Sequence, residues 1–198
     1  GQTVRFEKGE GPVLEPISTE QISGLDPQKV TDRLAPVFEA LDRVKLSLSP
    51  SKTLIGFCGA PWTVATYMIG GKGSPDQAAA RSFALSQPQA FAALIDVLIE
   101  ASALYLAQQF KAGADVVQIF ESWALNLDEE AFDRYVLEPN KRLVGRLREF
   151  VPDAPVIGFP RGAAGKLADY AKGVDINAMG LDYATPVRFA DDVLPANL

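Results

Sequence analysis

The chain has 198 residues, 47% hydrophobic and 22% charged, a balance with enough apolar mass for one sizeable core, which excludes a disordered chain. A net charge of -6 argues against a nucleic-acid partner, whose phosphates require a basic face, but leaves room for an anionic small molecule met by a few local arginines. One cysteine, Cys58, and no histidine remove an internal disulfide, Ser-His-Asp catalysis and most transition-metal sites from within these residues, so neither a metal nor a zinc cluster is expected. No basic segment followed by an apolar run opens the chain, and no apolar stretch is expected to reach the length of a bilayer; the expectation is a cytoplasmic protein with no membrane contact. Gly1 and the extended Pro195-Ala196-Asn197-Leu198 run read as cuts rather than natural termini.

Residues 1–26, rich in Gly, Pro, Glu and Ser with a turn signal at Gly9-Glu10-Gly11-Pro12, predict an irregular or hairpin-like lead-in without a core element. Asp26 before Pro27 reads as a helix cap, and Val30, Leu34, Val37, Phe38, Leu41, Val44 and Leu48 repeat at helical spacing, predicting one helix over 27–48 whose apolar stripe packs. Four short apolar runs follow that suit buried parallel strands: Thr53 to Phe57, Asp115 to Phe120, Pro155 to Phe159 and Asn177 to Leu181. Between them, helical patterns run from Ser86 to a terminating Gly113, from Asp128 to Phe150, and from Gly165 to Gly173.

Strands alternating with helices define an α/β chain with a parallel sheet, either a (β/α)8 TIM barrel or an open doubly wound sheet. No glycine-rich nucleotide turn follows any strand, which favours the barrel, and four strand units make half of one. Residues 1–198 are thus expected to form a single domain, an incomplete barrel, with 27–198 holding the helix and the βα units.

In both architectures the working residues lie beyond the carboxyl ends of the strands. There the chain reads Cys58-Gly59-Ala60-Pro61-Trp62-Thr63 leading to Tyr67-Met68, then Glu121-Ser122-Trp123, Pro160-Arg161-Gly162-Ala163 and Asp182-Tyr183. The run Gly56-Phe57-Cys58-Gly59-Ala60-Pro61-Trp62-Thr63 with Tyr67-Met68 behind it is similar to a segment of the uroporphyrinogen decarboxylases. Gln118-Ile119-Phe120-Glu121-Ser122 and Gly180-Leu181-Asp182-Tyr183 resemble two further signatures of that family, and the likeness covers nearly the whole chain, weakest before Asp26.

The resemblance implies a (β/α)8 barrel, usually a homodimer. It implies removal of the four acetate carboxyls of uroporphyrinogen to give coproporphyrinogen in tetrapyrrole (haem or chlorophyll) biosynthesis, without metal or organic cofactor. Of the family's functional positions, Tyr67 matches the pocket tyrosine and Ser122 the hydroxyl residue that bonds a substrate side chain. Phe57 and Phe120 match apolar residues lining the pocket. Packing is the alternative role for Tyr67, Phe57 and Phe120, and a strand-end cap that for Ser122. Arg161, in a Gly-flanked turn after the third strand, is a candidate to face an anionic substrate, with a plain surface role as the preferred reading. The family's arginine-rich segment and its pyrrole-binding aspartate would precede Gly1, and its last strands, with a histidine, would follow Leu198. No catalytic residue is therefore expected within these residues, which alone are expected to be inactive. Asp182 is expected to be structural.

Two other readings stay open. One is a zinc-dependent corrinoid-linked methyltransferase of the same superfamily, although its His-x-Cys pair has no counterpart where this chain reads Gly158-Phe159-Pro160. The other is a non-catalytic binding paralogue.

Overall fold

The computed structural model describes residues 4–7, 11–196 and 198. The lead-in is a hairpin in which β1 (Val4–Glu7) pairs antiparallel with β2 (Gly11–Leu14), from Val4 opposite Leu14 to Glu7 opposite Gly11. Gly9 and Glu10 of the expected turn lie outside the described residues. Contrary to expectation, the lead-in does supply core: Ile17 and Ile22, the latter in the short helix α1 (Thr19–Ile22), are buried. The reason lies at the end of a neighbouring helix, whose last carbonyls need donors. Ile17 N–H donates to the Met68 carbonyl at 2.8 Å and Leu14 N–H to the Gly71 carbonyl at 2.7 Å, drawing the segment onto the body.

The expected helix over 27–48 is broken. Asp26 caps it, its carboxylate accepting from Gln28 N–H at 3.0 Å. A 3-10 turn (Pro27–Lys29) and α2 (Val30–Arg33) then give way at Leu34 (φ -101°, ψ 13°) before α3 (Ala35–Ser47). Pro36 explains the break, because its ring nitrogen has no hydrogen to give the carbonyl four residues earlier. The stripe is only half covered: no residue of α3 is buried, and its packing includes Phe38 against Tyr105, ring centroids 5.7 Å apart.

The main body follows as β3 (Ile55–Gly59), α4 (Pro61–Gly70), α5 (Ala78–Ser86), α6 (Pro88–Lys111), β4 (Val116–Glu121), α7 (Glu129–Phe132), α8 (Glu138–Phe150), β5 (Val156–Pro160), α9 (Leu167–Gly173), β6 (Ala178–Met179) and α10 (Val187–Val193). Prolines again set boundaries that hydrophobic periodicity missed. Pro88 opens α6 and leaves α5 as a separate helix, and Pro139 is preceded by a wide π turn over Asp133–Leu137. Such a turn accommodates a missing N–H without ending the helix. Gly113 closes α6 at φ +99°, a conformation glycine adopts without strain.

The helix α6 corrects a further expectation. By length and composition, 24 residues with a mean hydropathy of 1.8 in its most apolar window, it is able to cross a bilayer. Half of that window is buried inside the fold, with Phe91, Leu94, Ile95 and Leu98 in the core. A helix packed in this way is apolar because it is central.

The four main strands are parallel, and their spatial order β3-β4-β5-β6 is their chain order. A doubly wound sheet reverses order at a switch point and covers both faces. Here one face is covered and the other open: Val117 and Ile119 are fully buried against helices, whereas Ile55 and Phe57 are 49% and 58% exposed. This is one side of a barrel wall, its open face being the barrel's interior.

Candidate functional site

Because side chains alternate along a strand, register decides what meets on the open face. Phe57 lies opposite Gln118, and Phe120 opposite Phe159. The three phenylalanines form a row at the carboxyl ends of the strands, Phe57 edge-on to Phe120 at 6.0 Å and Phe120 edge-on to Phe159 at 5.6 Å. Edge-to-face contacts of this kind hold rings in a fixed attitude. Phe57 and Phe120, two of the expected contact residues, are thus brought together. Phe159 was missed, although strand alternation in Pro155-Val156-Ile157-Gly158-Phe159 held the signal.

Ser122 continues the parity of Gln118 and Phe120 past the end of β4. It lines a solvent-open cleft of about 180 Å³ together with Trp123, Arg161, Asp182 and Tyr183. Its hydroxyl has no hydrogen-bond partner among the described residues, although its backbone N–H donates to Thr63 Oγ1 at 2.8 Å. Arg161 is exposed and forms no ion pair among the described residues. Asp182 is occupied: its carboxylate accepts from Gly162 N–H at 2.8 Å and from Ala184 N–H at 2.9 Å, joining two loops. The Gly162 bond is the main cause holding its carboxyl below the usual range.

Tyr67, on α4, is not a wall of this cleft. Its ring lies 6.1 Å from that of Trp123, which is, and it also approaches Gly73 in the following loop. Trp123 is held from below, Trp62 Nε1–H donating to its carbonyl at 3.1 Å, while its own indole N–H is buried without a partner among the described residues.

The helix-facing side of the strand ends holds a polar cluster that sequence reasoning did not find. Glu121 is fully buried; Thr63 Oγ1–H donates to its Oε1 at 2.5 Å and Asn140 Nδ2–H to its Oε2 at 3.4 Å. Tyr170 O–H in turn donates to Asn140 Oδ1 at 3.2 Å. Burial pushes the Glu121 carboxyl up to about 8, against the pull of these donors. The neighbouring Cys58 thiol is pushed up to about 12, by burial first and then by Glu121, and the Tyr170 phenol is raised as well, chiefly by burial. Asn140 and Tyr170 lie in helices with no motif around them, so nothing in the sequence marked them. Among the described residues no three His, Cys, Asp or Glu side chains converge as metal ligands.

A parallel strand-helix wall with an aromatic row and a hydroxyl-bearing cleft at its carboxyl ends defines a βα-barrel protein whose candidate site lies at the mouth of the barrel. The family model described as uroporphyrinogen decarboxylase (URO-D) matches residues 1–196, and the chain belongs to that family, whose fold is the TIM barrel. The chain is 49% identical over 190 residues to the uroporphyrinogen decarboxylase of Chelativorans sp. (strain BNC1), covering 96% of this chain and 56% of that protein. It is 47% identical over 190 residues to those of Brucella anthropi and Brucella canis, with the same coverage of each chain. It therefore spans about half the length of the curated relatives it matches.

Proposed function

We propose that the intact protein containing this chain removes the acetate carboxyls of uroporphyrinogen to give coproporphyrinogen, as a cytoplasmic homodimeric enzyme of tetrapyrrole biosynthesis. The observation that carries this reading is the row Phe57, Phe120 and Phe159 together with a Ser122 hydroxyl that has no partner among the described residues. An apolar platform bordered by hydrogen-bond donors suits a macrocycle whose ring is apolar and whose side chains are carboxylates.

The chemistry follows from the substrate. Protonating a pyrrole carbon makes the ring a cationic electron sink, which takes up the electron pair released as the acetate carboxylate leaves as carbon dioxide. The protein must hold the polyanion, set a carboxylate against the pyrrole N–H groups and supply protons. We assign to this chain the holding of the polyanion, in which Phe57 and Phe120 seat the ring while Ser122 and Tyr67 donate to side-chain carboxylates. The pyrrole-facing carboxylate is assigned to segments of the relatives beyond the stretch matched here. No acidic side chain stands on the open face of the four main strands, since Glu121 points into the wall and Asp182 holds loops.

The test is carbon dioxide release and coproporphyrinogen formation by the intact protein, with and without a chelator. Chelator-resistant turnover is expected, and chelator-sensitive turnover would favour a zinc-dependent relative. Tyr67→Phe should lower turnover by about 2- to 10-fold with the fold unchanged, the worth of one lost hydrogen bond. Unaltered turnover and affinity in that variant would remove Tyr67 from the site.

A further inference from the structure

Thr63 stands between a buried acid and the residue that borders the cleft. Its Oγ1 donates to Glu121 Oε1 at 2.5 Å and accepts from the backbone N–H of Ser122 at 2.8 Å. A hydroxyl has one proton, so giving it to Glu121 leaves the oxygen's lone pairs facing Ser122. Glu121 itself is fully buried and has no cation paired with it among the described residues, so its carboxyl serves this relay, Asn140 and the backbone N–H groups of Thr63 and Trp123 rather than an ion pair. Its backbone carbonyl meanwhile accepts from Arg161 N–H at 2.9 Å, tying the same strand end to β5.

Thr63 also sits in the first turn of α4, four residues before Tyr67, so both lie on the same side of that helix. An anchor at Thr63 fixes the rotation of α4 and with it the approach of Tyr67 to Trp123. Space is tight as well, because a Cβ on Gly59 would come within 2.9 Å of Val64.

We propose that the Glu121–Thr63 pair is a positioning device for the cleft, holding the Ser122 backbone and the α4 turn so that the Ser122 and Tyr67 hydroxyls meet the carboxylates of the substrate. Neither Glu121 nor Thr63 touches the substrate in this arrangement. The inference rests on Ser122 being a substrate contact.

The experiment uses the intact protein and separates hydrogen bonding from packing. Thr63→Val keeps the volume and removes the relay, whereas Thr63→Ser keeps the relay and loses a methyl group. Thr63→Val should raise KM for uroporphyrinogen by about 2- to 10-fold, with kcat moving less, and Thr63→Ser should recover most of that loss. Protection of the Ser122 amide against hydrogen exchange should fall in Thr63→Val and hold in Thr63→Ser. If Thr63→Val folds poorly, Glu121→Gln, which keeps an acceptor for the Thr63 hydroxyl, should retain Ser122 protection where Glu121→Ala loses it. The cycle of Thr63→Val with Ser122→Ala should be non-additive in KM, because both changes disable one contact. Additive effects with Ser122→Ala itself impaired, or a valine variant better than the serine one, would overturn the positioning role alone. An unmoved KM in Ser122→Ala would instead sink the substrate reading, and the proposal with it.

Discussion

At the end of β4 two hydroxyls have opposite situations. That of Thr63 is engaged on both sides, and that of Ser122 is engaged on neither among the described residues. If Ser122 serves the substrate, Ser122→Thr keeps the donor and acceptor and should be tolerated, while Ser122→Ala should raise KM by about 2- to 10-fold. Steady-state kinetics on the two variants decides it, and a harmless alanine with a damaging threonine would mean a volume constraint. Glu121 gives a second prediction, in stability rather than binding. Its carboxyl titrates near 4.5 when free and near 8 in the fold, raised by burial. Between those values the folded chain holds a proton that the unfolded chain has released, so the group's contribution is fully present below about 4.5 and is lost as pH rises through about 8. The urea midpoint of the parent protein should therefore fall relative to that of Glu121→Gln as pH rises across this window. Equal slopes for the two proteins would contradict a neutral buried carboxyl. The place of Phe120 and Ser122 at one strand end was legible because they share the parity of one strand within a recognisable run. Asn140 and Tyr170 were not, since a polar residue on a helix looks the same whether it meets solvent or a buried acid three elements away.

At the scale of elements, the sequence carried the order of strands and helices, and prolines decided where the elements end. Hydrophobic spacing runs straight through Pro36, Pro88 and Pro139, because a break in the hydrogen-bond ladder leaves the apolar face nearly continuous. The last strand shows the converse: Asn177 to Leu181 looked like a full strand, yet only Ala178 and Met179 pair, against Ile157 and Gly158. Pairing depends on a neighbour as well as on propensity. Helix seating depends on what the strand lacks. A Cβ on Gly158 would lie 2.7 Å from Tyr170 Cε1 and 3.1 Å from Ile176 Cδ1, so the bare backbone there lets α9 lie directly on β5. Gly158→Ala should thus destabilise the protein by about 1–3 kcal/mol, the usual cost of overpacking, and displace Tyr170 from Asn140. Chemical denaturation measures the first effect, and the second should appear as altered tyrosine fluorescence or a shifted Asn140 side-chain amide resonance. A variant as stable as the parent would mean that α9 is not seated against this strand.

At the scale of the molecule, the decisive feature is the open face of the sheet. Barrel strands bury one side against helices and the other against the strands across the barrel, and here only the first burial is made. Phe57 and Ile55 stay largely exposed, and β3 and β6 are the outer strands of the four-stranded sheet. At β3 the side-chain amide of Gln109 takes up both backbone groups of Phe57, accepting from its N–H and donating to its carbonyl at 2.9 Å each, which blunts that strand at one residue. An apolar face between free strand edges favours association with other chains. The net charge of -6 opposes this only weakly, since it acts over the whole surface and is screened within about 10 Å at 0.1 M salt. We therefore predict that the 198 residues produced as an isolated polypeptide will associate and will not release carbon dioxide from uroporphyrinogen. The chemical reason is separate from the structural one. The open face offers phenylalanines and the cleft a serine hydroxyl, but neither supplies a carboxylate free to face a pyrrole cation, and preorganised stabilisation of that kind is typically worth about 2.7–4 kcal/mol per group. Light scattering and a carbon dioxide assay on the isolated polypeptide, run beside a protein extended to the length of the relatives, test both halves. Monodisperse behaviour would contradict the structural half, and turnover by the 198 residues alone would show that the carboxylate is supplied from within them.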